Sequence, residues 1–370
     1  MKIGTATHIC YDSEWKSRAN KQTPILTYFA TQNLDFIMLS IIIVNTFRPD
    51  LLHDCLGSLK EHLPPFPHEI IISSNGCKEE DKAELLRQYP DIRWVDTGYN
   101  AGFGRANNIG LRIAKGDYFL LLNPDTVAVD DSIKRCYERF RETDNAACGI
   151  QLLNLDGSNQ ISGSYFVKGG LNHLLPIPYY GAFIRWLGYT LKTKVPSVEN
   201  VATEQEVDWI SGAFLMTKRT VTDKVGFLDE DFFLYAEEVE WCSRLRKEGK
   251  MVLYGDLKII HLEGVTTDGI VKVQHKGYHN LYDKKGLQLM VSNHLRVRKQ
   301  YGVFWFLVLL LNYTFGLLVY FLGSTFHRLF TLRNPAGEWS RIGAFAKNIL
   351  KLWGLSPKII ANKPYFYKMF

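Results

Sequence analysis

The chain has 370 residues, 46% hydrophobic and 22% charged, which excludes a disordered protein and leaves room for one large domain or two smaller ones. Its net charge of +6 is uneven: residues 1–270 carry 29 lysines and arginines against 36 acids, whereas residues 271–370 carry 15 against 2. Six cysteines without a C-x-x-C pair or zinc spacing, and an N-terminus without a charged-then-apolar leader, point to reduced thiols in a cytosolic compartment.

Residues 1–37 show no motif and read as an appended segment. "MLSIIIVNTF" is a short Ile-rich run bounded by Arg48-Pro49, the pattern of a buried parallel strand. Asp50 is placed to cap the helix that follows, whose Leu51, Leu52, Cys55, Leu56 and Leu59 share one face. Three more strand and helix segments alternate up to "YFLLLNPD". This order predicts a parallel sheet with ligands gathered at the carboxyl ends of its strands. Those ends carry Asn45-Thr46, Ser74-Asn75, Asp96-Thr97 and Asn123-Pro124-Asp125, four polar ends on one edge, which suits a nucleotide. Each alone reads equally as a helix cap or a loop. The glycines of "YNAGFGRANNIGL" lack the dinucleotide spacing, and no G-x-G-x-x-G follows the first strand, which argues against a dehydrogenase.

Past Gly149 the pattern loosens. Residues 165–194 read as an acceptor loop facing a membrane or as a plain connector. Asp125 ends an apolar strand, where a hard divalent cation meets a carboxylate and diphosphate oxygens. Glu237, Glu238 and Glu240 open a helix whose Arg244, Arg246 and Lys247 lie further on. Helix-dipole complementarity alone also accounts for that order.

Between Arg298-Lys299 and Arg328 lie 26 residues, 301–326, without one charge. A helix over 303–326 is roughly 36 Å long, enough to cross a hydrocarbon core of ~30 Å or to lie in one leaflet. Tyr301, Trp305, Tyr313 and Tyr320 are expected at the interface, and basic residues on both flanks leave the orientation open. "RIGAFAKNILKLWGL" sets Ile342, Phe345, Ile349, Leu352 and Trp353 at helical spacing among lysines, as in a helix on a membrane surface. Basic charge beside apolar surface points to anionic lipid and argues against nucleic acid.

The segments "LSIIIVNTFRPDLLHDCLGSL", "YNAGFGRANNIGL", "GDYFLLLNPDT", "VDWISGAFLMTKR", "GFLDEDFFLYAEEVEWCSRLRKEG" and "IIHLEG", in this order, resemble glycosyltransferase family 2, and within it the bacterial rhamnosyltransferases of surface-polysaccharide assembly. The resemblance covers 39–264. It implies a GT-A fold, a Rossmann-like, mostly parallel α/β sheet binding a nucleotide-diphosphate sugar, over 38–270, followed by a basic helical membrane-associated region, 271–370. It further implies an inverting, metal-dependent hexosyltransferase that passes rhamnose or another hexose to a lipid-linked saccharide at the cytoplasmic face of the bacterial inner membrane, as a peripheral or single-span protein. The family's Asp-x-Asp motif falls on Asn123-Pro124-Asp125, giving Mg2+ or Mn2+ to Asp125, with His261 completing the metal shell. Its Glu-Asp base motif falls on Glu237-Glu238, with Glu in place of Asp at the second position. Glu238 is favoured as the base and Glu237 stays open. Asn45, Thr46, Asn75, Asn100, Gly102, Asn108 and Asn123 are expected around the donor, and Asp208, Trp209, Ser211 and Gly212 around the acceptor and sugar. The family usually has Asp-Asn after its second strand; Ser74-Asn75 here leaves the base open. The rival reading is a non-catalytic, membrane-associated nucleotide-sugar-binding or assembly protein.

Overall fold

Strand β1 (Leu39–Asn45) is buried along its whole length, and its residues alternate between two cores. Leu39, Ile41 and Ile43 pack with Leu52, Cys55, Leu56 and Leu59 of α1 (Pro49–His62), whereas Ile42 packs with Leu111 of α3 (Gly102–Ile113). A strand with helices over both faces must be apolar on both, which is why it reads as a continuous run. In this computed structural model the described residues are 37–192, 196–262, 280–334 and 336–369. The expected N-terminal segment, apart from its last residue, lies outside them, as does 263–279. Residues 38–370 form one compact unit.

Strand β1 pairs in parallel with β2 (His68–Ser74) and β4 (Tyr118–Leu122), and β2 with β3 (Arg93–Asp96). The register sets Asn45 beside Ser74 and Ser74 beside Asp96, so three of the four polar strand ends do share one edge. The chain passes between these strands through α1, α2 (Glu79–Gln88) and α3. The sheet order is β3-β2-β1-β4-β11-β6-β12-β5, where β5 is Thr126–Val127, β6 Ala147–Leu153, β11 Phe214–Lys218 and β12 Met251–His261. The parallel pattern is broken at β11, which runs antiparallel to both β4 and β6. That reversal sets Phe214 opposite Leu122 and delivers the preceding "VDWISGA" to the polar edge. Strand β12 pairs with β5, which sets His261 opposite Thr126.

Asp50 does not cap α1. Proline opens that helix, Arg48 is its N-cap residue without a side-chain cap bond, and the Asp50 carboxylate pairs with the Arg48 guanidinium at 2.6 Å.

Two long helices end the chain, α8 (Lys284–Phe330) and α9 (Ala336–Ala361). Gly302, at φ 88°, breaks α8 into a first part and an apolar second part. Leu287, Met290, Val291, Leu295 and Val297 of the first part share a third core with Phe232, Ala236 and Tyr367. Aromatics expected at a membrane interface are instead turned inward: Tyr313 and Tyr320 are buried, and Tyr301 and Trp305 pack against that core. Ile342, Phe345, Ile349 and Leu352 of α9 belong to the same core, so that helix's apolar face is covered by protein, and only Trp353 of the five is exposed. The physical reason is that α8 is apolar all round, so α9 finds an apolar partner before it meets lipid.

Candidate active site

At the end of β4 the chain turns through Asn123-Pro124-Asp125, and the Asp125 backbone oxygen accepts from Leu262 N at 2.8 Å just beyond β12. Asp125 and His261 are both buried, with His261 Nε2 3.5 Å from Asp125 Oδ1 and 3.3 Å from Asn123 Nδ2. The other ring nitrogen, Nδ1, lies 2.9 Å from Gln160 Oε1. Gln160 spends its Nε2 on Asn154 Oδ1 and on the His261 carbonyl, both at 2.7 Å, so its Oε1 must accept and His261 Nδ1 must donate. Whenever the ring carries a single proton, Nε2 is therefore the lone-pair nitrogen, facing the Asp125 carboxylate. An imidazole nitrogen and a carboxylate on one side are a donor set that fits a divalent cation. No third acid, histidine or cysteine joins them among the described residues, which leaves the remaining coordination positions to diphosphate oxygens and water.

The second half of the site is α7 (Glu237–Leu245). Its entry is strained: Tyr235 and Ala236 both have left-handed backbone, φ 69° and 67°, a conformation costing non-glycine residues about 1–3 kcal/mol each. Glu237 is 1% exposed, and its Oε2 has no hydrogen-bond partner among the described residues. Burial, and then the neighbouring Glu238 charge, push its carboxyl well above the ordinary range. Glu238 is only half-buried. Burial raises it too, opposed by backbone N–H groups at the helix start, by the Trp209 indole and by the charge of Arg296. The buried Trp209 N–H closes no hydrogen bond of its own, so it favours the Glu238 anion from a distance.

The "VDWISGA" segment sits against this carboxylate. A Cβ on Gly212 would lie 3.5 Å from Glu238 Cγ and 3.1 Å from the Phe103 ring, so glycine keeps that approach open. One residue on, the Ala213 carbonyl accepts from Asn123 N at 3.1 Å. The Glu237–Glu238 pair and the Asp125–His261 pair are therefore linked through Gly212 and Ala213, in the turn ahead of β11, and Asn123, just past β4. Asp208 is held away from both, its Oδ2 accepting from Phe166 N at 2.8 Å and its Oδ1 lying 3.0 Å from Arg246 Nε. Ser211 Oγ accepts from Ala213 N at 3.3 Å and shapes the turn.

The donor-side amides divide into two groups. Asn45 is buried and Thr46 half-buried at the strand edge; Asn45 Nδ2 reaches Ser74 Oγ at 3.4 Å and its Oδ1 has no partner among the described residues. Asn75 instead latches the next loop, donating to the Gly102 carbonyl and accepting from Ala101 N, both at 3.0 Å. Asn100 accepts from Gly102 N at 3.1 Å. Gly102 itself has φ 77°, and a Cβ there would strike the Phe233 carbonyl at 2.0 Å, so it seats α3 against the segment before α7. Asn108 bonds Leu228 N and O and Glu230 Oε1 at 2.8–3.0 Å. Its amide is committed to protein and lies one helix turn or more behind the loop, which removes the physical basis for its expected contact with a nucleotide.

Two residues of this neighbourhood carry no sign in their local sequence. Gln160 lies in a polar turn and fixes His261. Arg296, from α8, is buried, with Nη2 3.1 Å from His173 Nε2 and Nη1 donating to Gln300 at 2.5 Å. It brings positive charge from the C-terminal helices toward Glu238.

The sequence is similar to that of several known proteins. The chain is 28% identical to a low-salt glycan biosynthesis hexosyltransferase of Haloferax volcanii over 57% of its length and 62% of the relative's. It is 27% identical to an N-acetylglucosaminyl-diphospho-decaprenol L-rhamnosyltransferase of Mycobacterium tuberculosis, over 51% and 64% of the two chains. To the rhamnosyltransferase WbbL of Escherichia coli it is 28% identical, over 59% and 80%. The chain thus spans a little under two thirds of the length of the first two. A solved mannosyltransferase from Pyrobaculum calidifontis, in complex with GDP-Man and Mn2+, aligns over 86% of both chains at a TM-score of 0.42 and 12% identity, too distant a likeness to carry an argument. Residues 40–198, somewhat under half of the chain, match Glycosyl transferase family 2, and the sequence is similar to rhamnosyltransferases.

Proposed function

We propose that the protein is an inverting hexosyltransferase that moves rhamnose or another hexose from a nucleotide-diphosphate donor to a lipid-linked saccharide acceptor. The observation that supports this reading is the Asn123–Ala213 hydrogen bond, which ties the turn next to Glu238, a half-buried carboxylate, to the strand end that carries Asp125 and its partner His261. Glu238 takes the proton of the acceptor hydroxyl as that oxygen attacks the sugar's anomeric carbon from the face opposite the leaving diphosphate. Glu237, almost fully buried and with its carboxyl held well above the ordinary range by burial, stays behind it. Asp125 and His261 would hold Mg2+ or Mn2+, which when bound neutralises the charge that develops on the leaving diphosphate. Asn45, Thr46 and Asn75 line the edge where the nucleoside sits, with Asn100 and Gly102 closing it and Asn123 at the diphosphate. Trp209, Ser211 and Gly212 shape the sugar and acceptor side, with Asp208 as their anchor. The lipid linkage is supported by the name of the mycobacterial relative, a transferase acting on a diphospho-decaprenol, and by the long apolar helix α8; in this reading the enzyme works at the cytoplasmic face of a bacterial inner membrane.

The test is a screen of UDP-, GDP- and dTDP-sugars for binding and slow hydrolysis with and without Mn2+. Metal-dependent turnover of at least one donor is expected, and Asp125→Ala should abolish the metal dependence while leaving the fold intact. Donor binding equal with and without metal would remove the metal assignment. Binding without any turnover would favour a non-catalytic nucleotide-sugar-binding protein.

A further inference from the structure

The apolar second part of α8 has two faces of different fate. Phe306, Leu309, Tyr313 and Tyr320 are buried against the protein. On the opposite side Phe304, Leu311, Phe315, Leu318, Leu322 and Leu329 recur at spacings of three, four and seven and are all exposed. A helix docked on a protein in water shows a polar outer stripe; this one is aromatic and aliphatic throughout. The stripe continues sideways, because the Phe315 ring meets Tyr180 at 5.7 Å, and Tyr180 leads through Phe183 to the exposed Trp186 of α5 (Tyr180–Thr190).

We propose that this surface seats the protein in one leaflet of an anionic membrane, with α8 lying in the plane of the interface rather than crossing it. The inference rests on the membrane reading above and deepens it. Two observations separate in-plane from spanning. First, α8 is clasped along its length: a Cβ on Gly316 would come within 3.0 Å of Ile177 and Tyr180, and one on Gly323 within 2.9 Å of Tyr179. The helix therefore runs along the catalytic unit for at least the stretch from 306 to 323, roughly 26 Å, and cannot stand away from it. Second, the turn into α9 carries Arg328, Arg333 and Arg341 against the one acid Glu338. Driving that turn through a hydrocarbon core of ~30 Å would bury excess positive charge, whereas in the plane it meets headgroups. The exposed Arg185 and Lys192 at α5, with Lys347 and Lys351 on α9, supply the charge complement of an anionic leaflet. So seated, the 3-10 helix Lys168–Leu174, which packs between α8 and α5, connects the lipid face to His173 and Arg296 behind Glu238.

The experiment uses the full chain. In inverted membrane vesicles with the catalytic side outward, Asn334→Cys at the α8–α9 turn and Lys60→Cys on the catalytic side are each labelled with a membrane-impermeant maleimide, with Cys10 and Cys77 replaced by serine. Labelling of both from outside is expected. Labelling of Asn334→Cys only after permeabilisation would overturn the in-plane seat while leaving membrane association standing. In parallel, purified protein is sedimented with vesicles of phosphatidylethanolamine and phosphatidylglycerol. The pair Phe183→Glu and Trp186→Glu should weaken partition about tenfold or more, with thermal unfolding and donor hydrolysis in solution unchanged. Partition unaffected by this pair would overturn the proposed surface. A full chain with no affinity for any vesicle would remove the membrane reading itself, and a stable dimer protecting Phe183 and Trp186 would assign the face to a second copy.

Discussion

The side-chain amides of Asn75 and Asn108 on one side of the site, and Glu237 Oε2 and Trp209 Nε1 on the other, are all buried, yet they are treated oppositely. Each asparagine is bonded through both ends of its amide to neighbouring backbone, whereas the carboxylate oxygen and the indole N–H have no partner among the described residues. A satisfied buried amide is a fastening: it fixes a loop and asks nothing of a ligand. An unmet buried polar group costs stability and persists where a proton or a ligand completes it. The donor edge is thus built as a rigid rim and the base helix as a reactive pocket. Substitutions on the two sides should fail in different ways.

The sharpest break is expected at Glu238. Glu238→Gln keeps the shape but cannot accept a proton, and kcat should fall about 10²- to 10⁴-fold with donor affinity nearly unchanged. If Glu237→Gln proves the more damaging in kcat, the base is one residue upstream; if neither matters, the proton goes elsewhere. A smaller effect is expected at Gln160, which touches no reactant in this reading. Gln160→Leu frees His261 to turn, and the Mn2+ concentration for half-maximal activity should rise about 10- to 100-fold. Direct Mn2+ titration by calorimetry separates this from a general loss of activity, and unchanged metal affinity would assign Gln160 to packing alone.

On the rim, Asn108→Ala should behave as a loosened fastening. Leu228 N and Leu228 O lose their side-chain partner, Glu230 is left with Arg112, and unfolding in urea should show a loss of about 1–3 kcal/mol. Donor affinity at a temperature where the variant is folded should stay within about threefold of the parent. A selective loss of donor binding with normal stability would return Asn108 to the nucleotide.

These contrasts also mark what could be read before the fold was known. The strands of the first half are Ile- and Leu-rich runs between turn signals, and their polar ends fall on one edge because a parallel sheet puts them there. Asp125 and His261 are far apart in sequence, and only the β5–β12 pairing brings them to 3.5 Å. Gln160 and Arg296 had no local signal: one sits in "NLDGSNQ", which reads as a turn, and the other in what reads as a basic flank. The facing of 303–326 was hidden for a different reason. A helix apolar on every side gives no periodicity by which to choose its buried face, so Tyr313 and Tyr320 turned inward against expectation.

The gentlest test concerns Glu237 and can be made without substrate. Its carboxyl is pushed well above the ordinary value of 4.5, first by burial and then by the Glu238 charge, so the folded protein holds a proton that the unfolded chain releases. Below that ordinary value both states are protonated and the residue contributes no pH dependence. As pH rises from there toward the raised folded value, the unfolded state binds fewer protons, and stability falls by about 1.4 kcal/mol per pH unit from this one group. Glu237→Gln carries no such proton. Urea unfolding at a series of pH values should therefore show the two proteins converging near the ordinary glutamate range and the variant becoming progressively the more stable toward neutrality. Glu238→Gln, measured beside it, removes the charge that adds to the shift and should flatten the parent's slope by less. A stability difference constant across pH would mean that Glu237 ionises normally in the folded protein, and the distinction drawn between a reactive pocket and a rigid rim would lose its clearest member.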